Sequence, residues 1–80
     1  MAASPWVSIG PLATADPDEA GRLLYNLEQE LGIQARPDPA TPGRRIFILD
    51  ARDAFDAREL AAETLGKEHP GWQGIVDLSI

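Results

Sequence analysis

The chain contains no cysteine and a single histidine, His69. Neither disulfides nor thiolate metal sites therefore hold this small domain together, and redox chemistry says nothing about its compartment. Aromatic residues make up 6%, and 7 basic residues face 13 acidic ones, for a formal net charge of -6. An acidic chain without a basic cluster is a poor partner for nucleic acid or an anionic membrane, since both are held mainly by cation-rich surfaces. Long apolar runs are missing as well. Nowhere do the ~18 apolar residues of a membrane span occur together, and no charged n-region followed by an apolar core opens the chain. The expectation is a cytoplasmic protein that binds neither nucleic acid nor membrane.

What is present reads as one globular α+β domain over residues 1–80, with 44% hydrophobic and 25% charged residues. A chain of this length buries roughly 60–65% of its unfolded surface, enough for a single two-layer core. The best-specified stretch runs from Ala15 to Ile33. Asp16 reads as an N-cap with Glu19 completing a capping box, and Pro17 occupies the first helical position, where a missing N–H costs nothing. Gly32 is the expected left-handed terminator, with Ile33 folding back on the last turn. The spacing predicts a helix from about Pro17 to Leu31, its buried face formed by Ala20, Leu23, Leu24, Leu27 and Leu31.

Around this helix the chain alternates. Pro5 to Gly10 reads as a strand with Val7 and Ile9 on one side and Trp6 and Ser8 on the other. Ile33 to Arg36 reads as a short edge strand ended by Pro37, and Asp38 to Gly43 as a hairpin loop dense in turn residues. Arg45 to Asp50 is the one continuous apolar run with β-branched residues, as expected of a central strand. A second capping box is read at Asp56 and Glu59, with Phe55 and Leu60 at the spacing of a hydrophobic staple. The second helix is thus expected from about Ala57, burying Ala57, Leu60, Ala61, Thr64 and Leu65, and ending at Gly66 or just before Pro70. Ile75 to Ile80 alternates as a last strand, with Val76, Leu78 and Ile80 on one face. The order β-α-β-β-α-β, with right-handed crossovers, predicts a ferredoxin-like two-layer sandwich: a four-stranded antiparallel sheet of order 4-1-3-2 with two helices on one face.

Catalytic chemistry finds few residues. Asp50, Asp53 and Asp56 recur every third position and have the oxygen chemistry of a hard-cation site, but a helix cap and the neighbouring Arg52 and Arg58 account for them. His69 lies at a helix end, where a cation is favourable whatever the function. Ser4, Ser8 and Ser79 lack a nucleophile-elbow context, and no glycine-rich phosphate loop occurs. The expectation is a non-catalytic protein without cofactor or metal. Arg36, Arg44 and Arg45 cluster about the hairpin as a possible anion contact, with edge protection as the simpler account.

Two helices cover one side of a sheet. If Ile46 and Ile48 face them beside Val7 and Ile9, then Trp6, Ser8, Phe47 and Leu49 form the uncovered side, and this is the expected interface. The stretch Trp6-Val7-Ser8-Ile9-Gly10-Pro11-Leu12, followed by Glu19-Ala20 and the leucine-rich helix ending at Gly32, resembles the opening of SPOR-type domains, which share this element order. The resemblance covers residues 6 to 33. It implies binding of peptidoglycan glycan strands on the exposed sheet face, here through Trp6, Ser8, Phe47 and Leu49. The reading as a whole is a protein-interaction module acting through the open face or an edge of its sheet, with a protein partner or as a homodimer. The alternatives are a small-ligand-sensing regulatory domain and a SPOR-like glycan binder.

Overall fold

The computed structural model describes residues 5–79. Its elements are β1 (Trp6–Pro11), α1 (Pro17–Leu31), β2 (Arg36–Pro37), β3 (Arg45–Ile48), α2 (Ala54–Glu68), a 3-10 turn (Trp72–Gly74) and β4 (Val76–Ser79). The strands form one sheet in the order β2-β3-β1-β4, every neighbouring pair antiparallel, and α1 and α2 pack on the sheet and on each other. This is the expected α+β, ferredoxin-like arrangement. Ser4 and Ile80 lie outside the described residues.

The first helix has its expected bounds. Asp16 Oδ1 accepts a hydrogen bond from the Asp18 N–H at 2.9 Å, and Gly32 adopts φ 66°. The N–H groups of Gly32 and Ile33 donate to the carbonyls of Gln29 and Glu28 at 3.3 and 3.1 Å, the paired bonds of a Schellman terminator. Ala20, Leu23, Leu24 and Leu27 are buried, with Leu31 and Ile33 packed against the cluster they form. The capping box itself stays half-made: the Glu19 carboxylate lies 3.6 Å from His69 Nε2 across the helix pair.

The second helix begins one turn earlier than expected, at Ala54. Asp53, not Asp56, is the N-cap: its Oδ1 accepts from the Asp56 N–H at 2.8 Å, while Asp56 Oδ2 accepts from the Arg52 N–H at 3.0 Å. The two aspartates thus satisfy one backbone donor in the first turn of the helix and one just ahead of it. With this start Phe55 falls on the outer face and is 70% exposed, Leu60 is exposed as well, and no hydrophobic staple forms. The buried side is Ala57, Ala61 and Leu65, three positions four residues apart. Thr64 is half-buried and donates its hydroxyl to the Leu60 carbonyl at 2.8 Å. The helix ends at Glu68, before Pro70.

The expected phase of β3 is reversed. Val7 pairs with Phe47 and Trp6 with Ile48. Residues opposite one another in an antiparallel pair point to the same face, so Phe47 joins Val7 and Ile9 under the helices. Phe47 is fully buried and Leu49 nearly so, whereas Ile48 is 41% exposed. The four apolar residues Ile46 to Leu49 alternate as expected, but their hydrophobicity is too even to say which pair turns inward. Pairing with β1 decides it, and the larger aromatic ring fills the core.

Candidate functional site

The side of the sheet without helices divides into a polar and an apolar half. Gly10 stands at the centre of the polar half, and the Arg44 side chain lies flat across it. From there its guanidinium reaches over β1 to β4. Arg44 Nε donates to Ser8 Oγ at 2.9 Å, Nη2 donates to the Ser8 carbonyl at 2.7 Å and to Ser79 Oγ at 3.0 Å, and Nη1 meets Asp77 Oδ2 at 3.1 Å. Ser8 in turn donates its hydroxyl to Asp38 Oδ2 at 3.1 Å, and Asp38 Oδ1 accepts from the Ala40 N–H at 2.9 Å. One arginine therefore ties the hairpin loop, the central strand and the far edge of the sheet together. Its donors are directed into the protein, which leaves little of the cation for an outside anion.

The apolar half consists of Trp6, Ile46 and Ile48. Trp6 and Ile48 are paired across β1 and β3, and both are about half exposed, 48% and 41%. Ile46, half-buried, pairs with Ser8 on one side and with Arg36 of β2 on the other. Arg36 therefore shares this face and is exposed, and among the described residues no ion pair engages it.

Of the expected interface residues, Trp6 and Ser8 lie on the open face; Phe47 and Leu49 are in the core. Ile46 and Ile48 take their places, for the reason of register given above. A glycan platform made of Trp6, Ser8, Phe47 and Leu49 together does not exist in this fold. The three arginines also separate. Arg45 points to the helix side, where its Nη1 meets Glu28 Oε1 at 2.7 Å, and Arg44 is held inward. They form no common anion contact. Asp53 and Asp56 are engaged at the start of α2, and among the described residues no group of three or more His, Cys, Asp or Glu is placed to hold a metal.

A second surface went unread in the sequence. Between α2 and β4 runs an open groove of about 530 Å³ whose walls include Phe55, Ala62, Trp72 and Leu78. The exposed Phe55 marks it, whereas the staple spacing with Leu60 points this ring inward. Between the two helices, Glu68 is half-buried, and one of its oxygens, Oε2, is closed off from solvent with no hydrogen-bond partner. Desolvation, with a smaller contribution from the Glu30 carboxylate, raises its pKa above the usual 4.5. Among the described residues no helix is long and apolar enough to cross a membrane.

No protein-family model matches the chain, and no solved structure matches it. A 32-residue stretch is 47% identical to part of the ATP-dependent RNA helicase DHH1 of Scheffersomyces stipitis. That stretch is 40% of this chain and 6% of the helicase. A likeness over so small a part of the helicase carries neither its fold nor its activity to this chain.

Proposed function

We propose that the protein is a non-catalytic interaction module that offers the apolar half of its open sheet face to another protein. The observation that carries this reading is the pair Trp6 and Ile48, side by side on a face that neither helix covers. Each large apolar side chain taken from water contributes roughly 1.5–3 kcal/mol, and an exposed tryptophan among aliphatic side chains is the composition of an interface centre. Arg36 stands at the rim of the patch, so the partner suited to it presents apolar side chains flanked by a carboxylate. The polar half is bound up internally by Arg44, which leaves the apolar half as the part of this face open to a partner.

A photoactivatable residue at position 46, irradiated in native lysate, tests this. The expected result is a discrete covalent adduct that disappears when Trp6→Ser is introduced with circular dichroism unchanged. A labelling pattern identical to that of the same residue at position 25, on the outer face of α1, would count against it.

A further inference from the structure

The groove between α2 and β4 lies on a different surface from the Trp6 patch, and it has two walls that both lack a neighbour. On the helix wall Phe55, Arg58, Glu59 and Ala62 recur at i, i+3, i+4 and i+7, a stripe separate from the buried positions Ala57, Ala61 and Leu65. On the strand wall the Ile75 carbonyl accepts from the Leu12 N–H at 2.9 Å on the β1 side. Backbone groups alternate along a strand, so those of Val76 and Leu78 point away from β1, and no described strand receives them. The opposite edge is protected: β2 is two residues long and includes Pro37, which has no N–H to offer. Among the described strands only the β4 edge is left ready for pairing.

We propose that a second copy of this chain occupies the groove, pairing its β4 antiparallel to the first about a two-fold axis to make one eight-stranded sheet. Three features fit that occupant. The first is spacing. Because α2 packs on both β1 and β4, and more on β1, it lies between β1 and the gap beside it, and with strands ~4.8 Å apart the two-fold brings the second α2 to about 10–14 Å, a separation that facing side chains can span. The second is shape. The two helices run antiparallel, so Phe55 faces the small Ala62 of the second copy, and the second copy's Phe55 faces Ala62. The third is charge. Arg58 and Glu59 are adjacent, of opposite sign, and without an ion-pair partner among the described residues. The same two-fold sets each Arg58 against the other copy's Glu59, as an isologous interface requires. A register centred on Leu78 places Asp77 opposite the second copy's Ser79 and keeps the two Asp77 carboxylates apart.

Sedimentation of the full chain across a range of concentrations, with single charge reversals, tests this arrangement. The wild type is expected to dimerise. Arg58→Glu alone and Glu59→Arg alone each set like charges against one another, and each should weaken the dimer by about tenfold or more. Mixed together, the two variants have opposite charges at both contacts and should form a heterodimer as tight as the wild-type dimer. Trp6→Ser should leave dimerisation unchanged, which separates this surface from the open face. A wild type that stays monomeric, a dimer indifferent to both reversals, or a mixture that fails to restore association would overturn the proposal.

Discussion

The side chain of Arg44 lies across Gly10, so that a Cβ at position 10 would collide with Arg44 Cγ and stand 3.2 Å from the Arg44 Cα. The glycine is needed here for close approach, since its φ is not positive. Gly10→Ala is expected to destabilise the fold by about 1–3 kcal/mol through overpacking. Arg44→Ala should cost a similar ~1–3 kcal/mol by leaving Ser8 and Asp77 without their charged donor. The double variant should cost less than the two single ones together, because the clash and the bonds it breaks share one side chain. Denaturant unfolding of the three variants measures this, and simple additivity would mean that Arg44 does not rest on Gly10.

The phase of β3 predicts a sharp contrast between neighbours. Phe47→Ala empties a fully buried site and should cost about 3–5 kcal/mol, whereas Ile48→Ala, on the open face, should cost well under that. Equal losses in thermal unfolding would contradict the Val7 to Phe47 register.

Helix capping makes a similar distinction at α2. Asp53→Ala should lose about 0.5–2 kcal/mol, as should Asp16→Ala at α1, because each removes the side chain that accepts from the first turn. Phe55→Ala should stay within about 0.5 kcal/mol in the monomer, its ring being exposed. A large loss at Phe55, measured below the concentration of any dimer, would restore the staple and move the helix start.

Glu68 gives the fold a defined pH response. Its raised pKa means that the folded state binds the proton more tightly than the unfolded chain does, so its contribution favours folding at low pH and is lost as pH rises through the raised value. Glu68→Gln should therefore raise the melting temperature at neutral pH, with the gain vanishing below about pH 4.5, the ordinary value. The groups lining its surroundings are Glu30, Asn26 and Gln29 of α1 on one side and Glu19 and Arg22 of α1 with His69 on the other. Melting curves of both proteins across this range check the sign, and a gain that grows as pH falls would refute it.

The sequence disclosed most of the architecture because its punctuation is chemically distinct. Asp16-Pro17, Leu31-Gly32 and the Pro/Gly loop before Arg44 each allow one local structure, and the bounds of α1 follow from them. It misled where two readings are chemically equal. Asp53 and Asp56 both precede a helical pattern at capping distance, and only the reciprocal bond to the Arg52 N–H separates them. Ile46 to Leu49 alternate without a polar residue to mark the wet side, so the candidate face came out with the right partners in β1 and the wrong ones in β3. The span of Arg44 across two strands is set by tertiary pairing and has no signature along the chain.

The interaction reading turns on Trp6. Once the protein labelled from position 46 is in hand, its affinity for the wild type, Trp6→Ala and Tyr25→Ala gives the most direct measurement. The account predicts that Trp6→Ala weakens binding by about tenfold or more, as expected of an aromatic at the centre of an interface, while Tyr25→Ala on the far helix leaves it within about twofold. Equal affinity of the wild type and Trp6→Ala, with both folded, would contradict it.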